Sequence, residues 1–244
     1  MRLFGVLAGL VLSGAFASAD SEKTFDGMEV VDAKWNFTLT PGGQAVQLTG
    51  TIQQVYPRLL ELNPTYEADW AGSREDNVEY DNILPEDEDD GETENPAGAL
   101  SARAWKLGRL DLTPKTHLNR WYWAMWQRAI PRCRVRSWAQ CKPIREGIDH
   151  LFKAAGTPVV GAGKCSQISC ANNSAIIWCN VAQEDRILPQ YNLIALGAQI
   201  IWEQCREKEG RMYEKRGRRC YIRGRIYPWW NQWFVQILGV KSCY

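Results

Sequence analysis

The chain has 244 residues, 45% of them hydrophobic, and 29 Lys and Arg against 28 Asp and Glu. After the first twenty residues no stretch is long and apolar enough to be a membrane-spanning helix, and the length leaves room for one large or two small domains. The near-zero net charge conceals a split: residues 20–100 hold 19 Asp and Glu against 4 Lys and Arg, and residues 101–244 hold 9 against 24. Such asymmetry points to an anionic partner or to self-neutralisation.

The chain opens with Arg2, an apolar run and then Ala17-Ser18-Ala19 before Asp20. That order is the pattern of a secretory signal peptide, so residues 1–19 are predicted to be removed and the remainder exported and extracellular. Residues 20–84 read as a small α+β segment. Trp35, Phe37 and Leu39 alternate with polar residues, the period of a half-buried strand. Pro41-Gly42-Gly43-Gln44 is a turn, and 44–50 is a returning strand. Ile52, Val55, Leu59 and Leu62 have helical spacing behind Thr51 as N-cap, with Pro57 predicted to bend the helix or delay its start. Asn36-Phe37-Thr38 is a glycosylation sequon on Asn36, and Asn172-Asn173-Ser174 is a second on Asn172.

Residues 85–100 contain the acidic run 85–96, predicted to be a disordered linker. Residues 101–142 form a basic, Trp-rich connector with Trp121, Trp123, Met125 and Trp126. A membrane-surface helix can look like this, but the following Pro131, Cys133 and Cys141 favour a helix packed on the core.

Residues 143–244 are the cysteine-rich α+β module. Pro143 starts a helix whose apolar face is Ile144, Ile148, Leu151 and Phe152, with Gly156 as its stop. Residues 157–164 read as a loop without phosphate-loop spacing. A hairpin follows, turning at Asn172-Asn173. Its expected register sets Cys170 opposite Ala175, Ile168 opposite Ile177 and Ser166 opposite Cys179. Cys170 and Cys179 are then about 13 Å apart by strand rise, and Cys165 and Cys179 lie on opposite faces, so each of the three is expected to bond to another element. In the next helix Tyr191, Ile194, Ala198, Ile201 and Cys205 form one stripe facing the sheet. Two strands around Pro228-Trp229 close the chain, the first with Cys220, Ile222, Gly224 and Ile226 on one face.

All eight cysteines, Cys133, Cys141, Cys165, Cys170, Cys179, Cys205, Cys220 and Cys243, lie in the second half. An even number in an exported chain, without close Cys-x-x-Cys pairs, reads as four disulfides rather than a zinc site or a catalytic thiol. The expected fold is a disulfide-stapled, two-layer α+β sandwich, an antiparallel sheet with two helices on one side, preceded by the small α+β amino-terminal segment.

Several stretches together, Gly147-Ile148-Asp149-His150-Leu151, Lys164-Cys165, Ser169-Cys170, Asn173-Ser174-Ala175-Ile176, Trp178-Cys179-Asn180, Ile194-Ala195 and Gly197-Ala198-Gln199, precede a closing Cys220, Gly224, Trp230 and Cys243. With residues 48–64, they resemble a group of small secreted, cysteine-rich candidate effectors of filamentous ascomycetes. The order of elements is distantly similar to virally encoded fungal killer toxins with an α/β-sandwich. The likeness covers about residues 28–66 and 130–243. It implies secretion and a disulfide-bonded α+β fold and carries over no catalytic residue. The acidic linker and the Trp-rich connector depart from the group's compact pattern.

Among candidate sites, Tyr221, Arg223, Arg225 and Tyr227 share one strand face, with Lys215, Arg216, Arg218 and Arg219 upstream. Basic side chains beside flat rings suit nucleic-acid backbone, anionic polysaccharide or acidic lipid. The same face also suits a solvated edge strand protected by charge, or an intramolecular partner in the acidic segment. Lys215-Arg216 is a dibasic processing site between Cys205 and Cys220. His117 and His150 are the two histidines; Asp149 cannot orient its neighbour His150 on a helix, so a surface histidine is expected. Glu184-Asp185 reads as a solvated turn. No cofactor or metal is expected. The function expected is non-catalytic binding of a host or competitor molecule, ahead of killer-toxin-like action on membranes or channels and of a secreted hydrolase such as a ribonuclease.

Overall fold

The computed structural model describes residues 24–71, 125–126, 128–135, 137–208, 220–229 and 232–243. The fold is mixed α+β, with a mostly antiparallel sheet, few helices and four cysteine pairs. Its largest sheet has six strands in the order β1 (Thr24–Phe25), β2 (Met28–Val31), β7 (Lys164–Ala171), β8 (Ser174–Asn180), β12 (Trp233–Gly239) and β11 (Gly224–Ile226). Tight turns set two of its hairpins, β1–β2 and β7–β8. Asp26 and Gly27 have φ 52° and 79°, and Asn172 and Asn173 have φ 47° and 57°. Left-handed pairs of this kind match the twist of antiparallel strands, and Asp-Gly and Asn-Asn tolerate them. β2 joins β7 in parallel, with Glu29 opposite Lys164.

The β7–β8 hairpin corrects the expected cysteine pattern. Ala171 opposes Ser174 and Cys170 opposes Ala175, as the turn dictates, but the register shifts between Gln167 and Ser169. Ile168 is the extra residue of a β-bulge. Below it Ser166 opposes Trp178, and Cys165 stands directly opposite Cys179. Those two are bonded, with Cα atoms 4.0 Å apart. The pair excluded by an unbroken register is therefore formed, because one inserted residue moves Cys165 into line. Gln53 of the neighbouring helix braces the bulge. Its Oε1 accepts from the Cys170 N–H at 2.9 Å, and its Nε2 donates to Ser169 Oγ at 2.7 Å.

A four-stranded sheet runs β4 (Ala45–Thr49), β3 (Lys34–Thr38), β6 (Gly156–Val160), β9 (Arg186–Ile187). β6 lies where a loop was expected: Thr157, Val159 and Val160 favour extended backbone, and both edges of the strand find partners, β3 and β9. A third sheet pairs β5 (Ala139–Gln140) with β10 (Tyr221–Ile222). Residues 24–71 thus contribute strands to both larger sheets. Tyr191 wedges between β3 and β6: its hydroxyl accepts from the Asn36 N–H at 3.2 Å and donates to Thr157 O at 3.3 Å, and its ring stacks on Trp35 at 4.5 Å.

Helix α1 (Ile52–Leu62) starts at the predicted cap, where the Thr51 N–H donates to Gln54 Oε1 at 2.8 Å, and it runs through Pro57. It buries Ile52, Val55, Tyr56 and Leu59. A single turn, α2 (Tyr66–Asp69), follows. Helix α3 (Cys141–Lys153) buries Ile144, Ile148, Leu151 and Phe152 on its predicted face. Gly147 lies so close to the sheet that a Cβ there would overlap Ser169 Oγ and press on Ile176. Helix α4 (Asn192–Lys208) buries Ile194, Ala198, Ile201 and Cys205. α3 and α4 pack on each other and on the six-stranded sheet, α3 over β7 and β8, α4 over β11 and β12. Trp35, Trp178, Trp202 and Trp233 are fully enclosed in this core. The opposite face of the sheet carries a smaller apolar cluster, Phe25, Ile177, Phe234 and Leu238, around the Cys165–Cys179 bond.

Candidate anion-binding surface

The eight sulfurs form four bonds: Cys133–Cys205, Cys141–Cys220, Cys165–Cys179 and Cys170–Cys243. No free cysteine remains. Cys170 does bond outside its hairpin, to the end of the chain. The inward-facing Cys205 takes its partner from residues 128–135, and Cys220 takes the first residue of α3. These last two bonds fix the segment before α3 and the start of β10 to the helical layer.

The four residues of the sequence-predicted basic face do sit outward of their neighbours. Ile222, Gly224 and Ile226 are buried, while Tyr221, Arg223, Arg225 and Tyr227 are partly exposed. They do not form one open strip. The Arg225 guanidinium is held on every side: it pairs with Asp26, donates to Gln236 Oε1, donates to the Tyr227 hydroxyl at 3.2 Å, and lies 4.3 Å over the Phe234 ring. Its side chain is only 18% exposed. Arg223 lies over the Trp138 ring at 4.0 Å. Arg225 is therefore a structural cation that ties the Asp26-Gly27 turn to β11 and β12, a role that needs a carboxylate from nearly 200 residues away and could not be read from its own strand.

Beside it lies a ridge that sequence reasoning missed. Residues 128–135 run along β11, with Arg132 and Arg225 exchanging backbone hydrogen bonds of 2.8 and 3.0 Å. Arg128, Ile130, Arg132 and Arg134 are exposed, and the residues between them are shielded. The Arg128 guanidinium lies 4.3 Å over the ring of Trp229, and the Trp229 backbone N–H donates to Met125 O at 3.2 Å. Ile130 and Trp229 are among the most exposed large apolar side chains, at 78% and 51%. Neither 112–145 nor 215–244 contains an Asp or Glu. The ridge thus combines three guanidinium groups, an indole face and no carboxylate from its own stretch. Guanidinium forks bind phosphate, sulfate and carboxylate in two-point contacts, and a ring beside them accepts a sugar or base by stacking. The signal was present: Arg128, Ile130, Arg132 and Arg134 have period two, the mark of extended chain, but the surrounding tryptophans suggested a helix. Met125 and Trp126 are buried, Trp126 edge-on to Trp233 at 5.3 Å, as the core-packing reading of the connector expects.

His150 is half-buried. Its ring packs on Tyr56 with centroids 4.8 Å apart, and burial holds its pKa below 6.5, against the opposing pull of Asp149. Asp149 is ion-paired with Lys153 at 3.1 Å. The Asp185 carboxylate accepts the Ala162 N–H at 3.1 Å and the Glu184 backbone carbonyl accepts from the Asn180 side-chain amide at 2.7 Å, so Asp185 braces a turn through its side chain and Glu184 through its backbone. Among the described residues no group of three or more His, Cys, Asp and Glu is placed to hold a metal ion. Asn172 is exposed at the hairpin tip, and Asn36 lies in β3 between two neighbouring strands. Residues 1–19, expected to be a signal peptide, the acidic stretch 85–100, His117, Lys215, Arg216, Arg218 and Arg219 lie outside the described residues. No family model, curated protein or solved structure matches the chain.

Proposed function

We propose that this is an exported binding protein that acts by surface contact and not by catalysis, and that the ridge Arg128, Ile130, Arg132, Arg134 and Trp229 takes an anionic polymer on a host or competitor cell. One observation carries the reading: an alternating basic and apolar edge is fixed to the helical layer by Cys133–Cys205 and to β11 by backbone pairing. The packing of both long helices on one face of the six-stranded sheet supports a two-layer sandwich as the ridge's frame, the fold that the resemblance to secreted ascomycete proteins implies. The oxidised chain should be retained on heparin resin and released by salt, because displaced counterions dominate such contacts. Replacing Arg132 and Arg134, both exposed, with Ala should lower the eluting salt while leaving the fold unchanged. A wild-type chain that flows through the resin overturns the proposal. Leakage of dye from anionic vesicles, with no retention on heparin, would assign killer-toxin-like membrane action instead.

Asp26 paired with Arg225, and Glu29 paired with Lys164 at 2.8 Å, support the further reading that the acidic segment answers part of the basic module's charge. Deleting residues 20–100 would remove β1 to β4 as well, so the informative variant replaces the acidic residues of 85–96 with Ser. Stronger heparin retention of that variant is the expected outcome, and unchanged retention removes the masking idea.

A further inference from the structure

The four-stranded sheet has two unlike edges. At one, β9 is two residues long and carries Arg186. At the other, β4 runs for five residues, Ala45–Thr49, in unbroken register with β3. The direction of its backbone groups follows from its neighbour. In β3 the Asn36 N–H points toward β6, where the Tyr191 hydroxyl accepts it, and the Thr38 N–H donates to Ala155 O on the same side. Backbone groups alternate sides along a strand, so Trp35 and Phe37 are the residues that bond β4, through Leu48 and Val46. The N–H and C=O groups of Ala45, Gln47 and Thr49 therefore point away from the sheet. These three residues are exposed, and their outward groups have no partner among the described residues.

Edges of this length are ordinarily blunted by charge, proline or a bulge. β4 has none of these. Residues 35–57 contain no charged side chain, in a chain where 23% of residues are charged. We propose that β4 is a homodimerisation edge: the β4 strands of two copies pair antiparallel about a two-fold axis through Gln47, joining two four-stranded sheets into one of eight.

The strand is self-complementary in that register. Gln47 meets the Gln47 of the second copy, and Ala45 meets Thr49 on the same face. Val46 meets Leu48 on the other face, the one they share with Trp35 and Phe37. All outward N–H and C=O groups of Ala45, Gln47 and Thr49 are then satisfied. A foreign strand would need a charge or a pocket to be told from others; Ala45, Gln47 and Thr49 offer neither, whereas a second copy needs only the palindromic fit. The short, charged β9 at the far edge ends the growth, so the assembly closes at two.

The test is sedimentation velocity of the full oxidised chain across a concentration series, with two variants. Gln47→Pro removes an N–H that the single chain does not use, and Gln47→Lys sets like charges across the axis. The wild-type mass should rise from monomer to dimer with concentration, at low and high salt alike, and both variants should stay monomeric. If Gln47→Pro disturbs the fold, as judged by its near-ultraviolet circular dichroism, the exposed Gln47→Lys decides alone. A wild type that remains monomeric throughout, a dimer that survives Gln47→Lys, or growth past the dimer overturns the proposal.

Discussion

His150 shows how one half-buried ring couples this fold to pH. Tyr56 of α1 stacks on it, Glu67 of α2 binds the Tyr56 hydroxyl at 2.6 Å, and Glu146, Asp149 and Lys153 flank it on α3. Burial is the largest influence and favours the neutral ring; the carboxylates pull the other way and lose. The folded pKa is thus below the unfolded value near 6.5, and protonation favours unfolding. This contribution is fully present above pH 6.5 and is lost as pH falls through the folded pKa. Chemical unfolding followed between pH 7.5 and 4.5 should show a drop in stability that His150→Phe lacks. A variant with the wild-type slope would mean that other groups titrate there. Tyr191 is the second strained position in acid–base terms: burial raises its pKa, so its hydroxyl stays protonated and continues to bridge Asn36 and Thr157. Tyr191→Phe strands both backbone groups and should cost about 1–3 kcal/mol.

At the scale of elements, the disulfides differ in access more than in chemistry. Cys165 and Cys179 are both 0% exposed, inside the apolar cluster on the helix-free face of the six-stranded sheet, whereas Cys243 is exposed beyond the end of β12. Thiol exchange requires the attacking thiolate to reach a sulfur. Graded reduction of the native chain, quenched by alkylation and mapped by mass spectrometry, should open Cys170–Cys243 first and Cys165–Cys179 last. Early loss of the hairpin bond would show that the sheet opens before its edges do. How far these elements were legible follows from the range of the signal that sets them. The turn at Asn172-Asn173 and the buried stripes of α3 and α4 are local patterns, and they stand as read. The position of Cys165 depends on Ile168 being expelled into a bulge that Gln53 braces from α1, a contact across more than a hundred residues. β6 looked like a loop because Pro158 lies inside it and Gly161 and Gly163 follow at once, and only β3 and β9 on either side make it a strand. The basic ridge was missed for the converse reason: its period-two pattern was plain, but the tryptophans around it belong to the core and suggested a helix.

For the molecule as a whole, backbone pairing and sulfur divide the labour unevenly. All eight cysteines lie at or beyond Cys133, so residues 24–71 have no covalent tie to the rest except the chain itself. They are held by the pairing of β2 with β7 and β3 with β6, by α1 against α3, and by the ion pairs of Asp26 and Glu29. The carboxy-terminal end is the opposite case. Three of the bonds close loops of 72, 79 and 73 residues, each worth about 4 kcal/mol if chain entropy alone acts. Two of them, Cys141–Cys220 and Cys170–Cys243, anchor everything after residue 219. Two cuts should therefore behave differently. A cleavage site introduced between residues 72 and 124 should leave a complex that elutes as one species in native buffer but separates on a denaturing gel without reductant. Cleavage at Lys215-Arg216 should leave a single band on that gel, which resolves into two fragments only when reductant is added. Release of the carboxy-terminal fragment without reductant would mean that Cys220 and Cys243 bond to each other, and the arrangement that holds β10 to β12 against α3 and the hairpin would have to be redrawn.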